Sequence, residues 1–232
     1  IGTTVTAQII AFKLSDVALP LVGVGMFMKM LSKREKVRYW GDFLLGFGLL
    51  FFGMMVMQDG IMPLRDAPWV TDIFVQFSKI PVLGVLVGAV MTMIFQSSSA
   101  TVGLVIALAS TGMVDFPGAA ALVLGDNIGT TITANLAAIG ANVSAKRVAR
   151  AHFIFNLFGV CIILMIFPYF LKMVDLITPG DPMQVTAAGA VPYAARHVAN
   201  LHTLFNVTNC LLFLPFLEVL GWVASLITPG EE

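Results

Sequence analysis

Charge is what this chain lacks. Lys, Arg, Asp and Glu make up 11% of its 232 residues, against 58% hydrophobic. Soluble domains carry about 25% charge, so a water-soluble globule is excluded. The 13 basic and 13 acidic residues cancel, which argues against a nucleic-acid partner. Cysteine is scarce as well. Cys161 and Cys210 fall in apolar runs and read as small buried hydrophobes, with no disulfide implied. An initiator Met and a signal-peptide pattern are also missing. The chain opens inside a motif, so further sequence is expected upstream of Ile1.

Long apolar runs fill the rest, and the little charge sits between them. A spanning helix needs about 20 apolar residues. Residues 17–31 and 40–57 are expected spans, separated by the basic loop Ser32-Lys33-Arg34-Glu35-Lys36-Val37-Arg38, which the positive-inside bias puts in the cytoplasm. Residues 58–77, with Asp59, Asp66 and Asp72 against Arg65, fit the outer side, and 72–79 is expected along the interface. Residues 80–95 and 100–114 are each short for a span and flank a polar tip, Gln96-Ser97-Ser98-Ser99. That pattern predicts a hairpin entering and leaving from one face. Residues 118–141 are long enough to cross but are interrupted at Gly125-Asp126-Asn127-Ile128-Gly129-Thr130-Thr131, which predicts a broken helix. A second basic loop follows at Lys146, Arg147 and Arg150.

Three phrases are written twice. Ile1-Gly2-Thr3-Thr4-Val5-Thr6-Ala7 returns as Ile128-Gly129-Thr130-Thr131-Ile132-Thr133-Ala134, and a His-x-x-Phe-Asn phrase occurs at His152–Asn156 and again at His202–Asn206. Leu-Ile-Thr-Pro-Gly likewise recurs at Leu176–Gly180 and Leu226–Gly230. Counting crossings so that both basic loops lie inside sends the two Ile-Gly-Thr-Thr copies out through opposite faces, as in an inverted repeat. The expected fold is therefore all-α, a polytopic membrane protein with inverted repeats, a re-entrant hairpin and broken helices. Residues 1–79 are the rest of a first repeat, and 80–171 a second, holding hairpin 80–114, broken helix 118–141 and span 150–171. Residues 172–232 are an outer loop and last span, the inverted partner of 150–171.

Irregular polar segments within lipid line protected cavities, because unpaired backbone groups are costly there. The tip offers Gln96, Ser97, Ser98, Ser99 and Thr101; the interruption offers Asn127, Thr130, Thr131 and Thr133. Hard monovalent cations such as Na+ want these oxygens, while an anion wants hydroxyl and amide donors. Gln96, Ser97, Thr130 and Thr133 are the expected Na+ ligands. No Lys or Arg lies in either motif. A bound oxyanion would therefore need cations beside it, and each ion would make the other's binding cheaper. Ser, Thr and Gly also pack membrane helices, yet duplication of the Gly-Thr-Thr phrase beside a polar tip favours a site. Asp126 is either a cation ligand or a solvent-facing cap. Asn156 and Asn206 are divided between packing and ligation. His152 and His202 are read as structural, bonding across a helix interface.

The phrases Gln96-Ser97-Ser98-Ser99-Ala100-Thr101 and Asn127-Ile128-Gly129-Thr130-Thr131, with the two His-x-x-Phe-Asn motifs, resemble the sodium-dependent phosphate cotransporter family, the type II proteins and their bacterial relatives. The resemblance implies Na+-driven uptake of inorganic phosphate by alternating access, in a multi-pass protein of the plasma or inner membrane. It implies no enzyme activity and no cofactor beyond Na+ as coupling ion. By motif match, Gln96, Ser97, Ser98, Ser99, Asn127, Thr130 and Thr131 form half the site, and Thr3, Thr4 and Thr6 what remains of the other. The first repeat's Gln-Ser-Ser-Ser hairpin is expected upstream. Asp126 stands where relatives usually carry a small residue. A PhoU-type cytoplasmic regulatory domain and a homo-oligomer are compatible with the resemblance, and the lipid bilayer is the surrounding partner. The rival readings are a Na+-coupled carrier of another oxyanion or a small carboxylate, and an intramembrane serine hydrolase. The hydrolase is disfavoured because the chain has no Gly-x-Ser-x-Gly turn and its histidines lie in segments separate from the tip.

Overall fold

A computed structural model describes residues 2–12, 15–61, 79–187 and 189–230. The described residues are mostly helical, with no strand among them. In chain order the helices are α1 (Gly2–Ile10), α2 (Ser15–Leu31), α3 (Glu35–Ile61), α4 (Pro81–Phe95), α5 (Ser98–Ser110), α6 (Phe116–Ala137), α7 (Val143–Met165), α8 (Phe167–Ile177), α9 (Ala194–Phe213) and α10 (Leu217–Ile227). A short 3-10 turn, Leu214–Phe216, joins the last two. Among the described residues, three stretches are long and apolar enough to cross a bilayer: Glu35–Met57, Val143–Met165 and Ala194–Ile227. The expected interfacial segment 72–79 lies outside the described residues, save Lys79.

The starts of these helices follow local chemistry. Ser97, Asp115 and Asn142 cap α5, α6 and α7 by accepting from the backbone N–H groups of Ala100, Gly118 and Ala145. Proline opens α4, α6 and α8, where its missing N–H costs nothing. Gln96 stops α4 by adopting a left-handed conformation (φ 52°), the usual way to end a helix and re-aim the chain. The tip is thus narrower than expected, since Ser98 and Ser99 already belong to α5. Helices α4 and α5, 15 and 13 residues long, both fall short of a full span.

The predicted break in α6 does not exist: the helix runs unbroken through Gly125–Thr131. Two effects keep it whole. Its polar side chains bond back to their own turn, with Asn127 Nδ2 donating to the Val123 carbonyl (2.9 Å), Thr130 to Asp126 (2.8 Å) and Thr131 to Ile128 (2.7 Å). The glycines are not there for flexibility either. A methyl on Gly125 would collide with the Val85 carbonyl of α4, one on Gly129 would sit 2.5 Å from the Ala89 oxygen, and one on Gly88 would collide with the Leu122 carbonyl. Gly125 and Gly129 of α6 and Gly88 of α4 therefore form a close-contact seam, the small-residue packing of membrane helices. The core sits on the buried first half of α6, surrounded by α4, α5, α7 and α9.

A second glycine seam joins α2 to α3, where Gly25, Gly41 and Gly48 all bring backbones together. Lys29 and Asp42 bridge the pair at 2.7 Å. The first basic segment is a loop only over residues 32–34, and the second is helical. Lys36 and Arg38 lie in the first turns of α3, and Lys146, Arg147 and Arg150 in those of α7. Arg147 reaches the Thr228 and Gly230 carbonyls beyond α10 (3.2 and 2.9 Å), and Arg150 donates to Asn135 Oδ1 (2.8 Å). The cysteines also differ from expectation: Cys161 is exposed on a helix face and Cys210 is half-buried.

Contacts around α7–α10 are reciprocal. Gly180, after α8, lies under the Tyr193 ring before α9, while Gly230, after α10, lies against Val143 at the start of α7. Residues 180 and 230, and 143 and 193, are each fifty apart, the offset of the duplicated histidine motifs. The same exchange holds one layer in. Gln8 of α1 donates to Asn200 of α9 (3.0 Å), and Arg150 of α7 donates to Asn135 of α6 (2.8 Å); Gln8 and Asn135 hold the same place in the two Ile-Gly-Thr-Thr copies.

Candidate functional site

The polar motifs meet at one cavity of about 140 Å³ between α1, α5, α6, α7 and α9. A water needs only about 10–15 Å³ on this measure, so the space holds several water-sized groups. Its wall is built by pairs from the duplicated phrases. Thr3 and Thr130 come from the two Ile-Gly-Thr-Thr copies, and His152 with Asn156 and His202 with Asn206 from the two histidine motifs. Ser98, Asp126, Asn127, Phe155 and Cys210 complete it. A larger cavity of about 240 Å³ lies by Ile10, Phe51, Met54 and Ile106, but no charged side chain lines it. A cavity of about 290 Å³ beside Asn135, Lys146 and Arg150 does carry charge, but the duplicated motifs gather at the 140 Å³ one.

Of the residues expected at the site, Thr3, Ser98, Asn127 and Thr130 line this cavity, with Asp126, Asn156 and Asn206. The others do not. Gln96 is exposed at the left-handed turn, Ser97 is occupied as the cap of α5, and Ser99 is half-buried. Thr101 is fully buried, its hydroxyl 3.2 Å from the Ser97 carbonyl and 3.0 Å from Thr92 Oγ1. Thr131 is spent on the backbone of its own helix, and so is Thr133, which donates to Thr130 (2.8 Å). On α1, Thr4 is buried and Thr6 half-buried, neither on the cavity wall. Of the four expected Na+ ligands only Thr130 lines the space.

The histidines read as structural are at the wall instead. His202 is 1% exposed and its Nδ1 has no hydrogen-bond partner. A signal for them existed in the sequence, since His202, Asn206 and Cys210 recur every four residues and so share one helix face. Asp126 is not a solvent-facing cap. It is 1% exposed; its Oδ1 accepts from Thr92 (2.7 Å) and its Oδ2 has no hydrogen-bond partner. Both unpartnered groups belong to residues of the same cavity wall.

The separation of tip and histidines assumed from sequence does not hold, because Ser98 shares the cavity with both imidazoles. Its hydroxyl nevertheless points to Thr3 Oγ1, at 3.5 Å, rather than to a base. A serine nucleophile needs a base within hydrogen-bond reach, which this geometry does not supply. The wall is suited to binding small ions: neutral hydroxyls and amides, two imidazoles and one carboxylate, shielded within a helical bundle.

Comparison with known proteins gives the same direction. The chain is 31% identical over 187 residues to YqeW of Bacillus subtilis, covering 81% of this chain and 60% of that protein. It is 32% identical over 164 residues to YjbB of Escherichia coli K12, named for a proposed role in inorganic phosphate export, covering 71% of this chain and 30% of that one. An 82-residue stretch is 44% identical to the mouse sodium-dependent phosphate transport protein 2C, 14% of that protein's length. This chain thus spans less than two thirds of these relatives. No solved structure matches it. The family model described as Na+/Pi-cotransporter matches residues 1–59 and 64–176, which takes in both Ile-Gly-Thr-Thr copies, the serine tip and the first histidine motif. This membrane-helical chain, with its paired polar wall, belongs to the Na+/Pi-cotransporter family.

Proposed function

We propose that the chain carries out the Na+-coupled movement of inorganic phosphate as part of a multi-pass carrier in the plasma or inner membrane. It works by alternating access, with Na+ entry driving phosphate uptake. The observation that carries this reading is the wall of paired residues, Thr3 with Thr130, His152 with His202 and Asn156 with Asn206, around one small cavity. Pairs contributed by duplicated elements are what two halves closing on a common site would present. A pseudo-twofold axis in the membrane plane relates the halves as inverted repeats, and the reciprocal contacts of α7–α10 support it. Helices α4 and α5, too short to cross, form the re-entrant hairpin whose tip brings Ser98 to the wall.

The names of relatives point in two directions: YjbB for export, the 2C proteins for sodium-dependent transport. A carrier of this design runs down whichever combined gradient is imposed. The test is labelled-phosphate flux in proteoliposomes holding the full-length protein, with Na+ placed outside or inside. Flux is expected to follow the Na+ gradient and to vanish when K+ replaces Na+. Ser98→Ala and Thr130→Ala are each expected to cut it about tenfold or more, the scale of one lost hydrogen bond to an ion. Unchanged flux in both variants at normal expression would remove the cavity from the mechanism. Competition by sulfate, arsenate and small carboxylates separates phosphate from the rival solutes.

A further inference from the structure

We infer that the cavity is the cation compartment of the carrier, with Asp126 as its charged ligand for a hard monovalent cation. The inference deepens the proposed function and rests on it only for the identity of the transported anion.

The argument is a donor and acceptor count. Asn127, Asn156 and Asn206 all turn their amide nitrogen toward their own helix, donating to the carbonyls of Val123, His152 and His202 at 2.9, 3.0 and 3.0 Å. That leaves each Oδ1, together with the second amide N–H, for other partners. Thr130 gives its one hydroxyl proton to the Asp126 carbonyl (2.8 Å), which leaves its oxygen as an acceptor. Ser98 Oγ lies 3.5 Å from Thr3 Oγ1, too far to hold its proton, so this hydroxyl stays free to donate or accept. The wall thus sets several oxygen lone pairs beside the Asp126 carboxylate, an inventory that suits a Na+-like ion.

Asp126 supplies the charge. Its Oδ1 is held by Thr92, while Oδ2 is buried without a partner. A buried carboxylate with a bare oxygen is costly unless a cation or proton neutralises it. The titratable groups lining the cavity with it are His152, His202 and Cys210; no Lys or Arg lines it. Among the described residues no three His, Cys, Asp or Glu side chains converge as metal ligands, so a transition-metal site does not fit. One carboxylate among neutral oxygens fits a monovalent ion. The bare carboxylate also repels an oxyanion, so phosphate is stabilised next to this cavity only once the cation has entered.

The test is equilibrium binding of radioactive Na+ to the purified full-length protein in nanodiscs, with no phosphate present. Wild-type protein is expected to bind Na+ saturably. Asp126→Asn keeps an acceptor for Thr92 but removes the charge, and is expected to weaken binding about tenfold or more, because ligand charge count sets cation affinity. Asp126→Glu is expected to restore part of it. Asp59→Asn, an exposed carboxylate at the far end of α3, is expected to change nothing. Melting temperature with Na+ or K+ is read alongside: wild type is stabilised by Na+, and Asp126→Asn folds but loses that response. Equal Na+ affinity in wild type and Asp126→Asn overturns the inference, as does absence of Na+ binding to wild type. Saturable, Asp126-dependent Na+ binding in a protein that moves no phosphate leaves this inference standing and removes the transport reading alone.

Discussion

At residue scale the tip turns on Gln96. A non-glycine residue at φ 52° carries a steric penalty of about 1–2 kcal/mol, accepted here because the reversal lets the next residue, Ser97, cap α5. The side chain itself is exposed. Backbone and side-chain roles can therefore be separated at this position. Gln96→Gly removes the Cβ clash and is expected to keep the fold, with a melting temperature equal to or above wild type. Gln96→Val forces a β-branched side chain into the same conformation and is expected to cost about 1–2 kcal/mol. Thermal unfolding of the full-length protein in detergent, with all three side by side, checks the order. A Gln96→Gly protein that melts well below wild type would mean the amide is a structural ligand of its surroundings.

At the scale of elements, the close α4–α6 seam does the work the predicted break was meant to do. It holds the polar face of α6 against its neighbours without loosening the helix. Gly125→Ala drives a methyl into the Val85 carbonyl, backbone that cannot step aside. Overpacking of this kind is expected to cost about 1–3 kcal/mol or more, and it sits one residue from Asp126. Gly46→Ala on α3 meets nothing within 4 Å and is expected to be neutral or stabilising by up to about 1 kcal/mol. Melting temperatures of the two variants, with Na+ binding as the second readout for Gly125→Ala, test the seam. The contrast also shows what sequence could tell. Helix positions were legible from apolar run length, and Thr3, Ser98, Asn127 and Thr130 from the duplicated and serine-rich phrases. The unbroken α6 was not, because a glycine in a polar stretch serves either conformational freedom or close approach. Only the partner helix, with Gly88 some way upstream, decides between them. His152, His202 and Cys210 were missed for a similar reason: histidine beside Phe on an apolar helix looks like core until the neighbouring face is known to be hollow.

At the scale of the molecule, reciprocity is the organising fact. Gly180 with Tyr193 and Gly230 with Val143 are exchange partners, and so are Gln8 with Asn200 and Asn135 with Arg150. In the inverted repeat proposed above, units that hold each other by equivalent contacts would trade places at similar energy, as a carrier opening alternately to two faces requires. The chain provides its own reporter. Cys210 is half-buried on the cavity wall, while Cys161 is exposed elsewhere. With Cys161→Ser, and any cysteine outside this segment replaced, Cys210 becomes a single thiol at the site. A membrane-impermeant thiol reagent is then applied from one face of sealed, oriented vesicles. Alternating access predicts that Na+ and phosphate change the labelling rate in opposite senses from the two faces, since closing the cavity to one side opens it to the other. Labelling that rises or falls together from both faces would describe a pore or a static pocket, and would end the carrier reading of the paired wall.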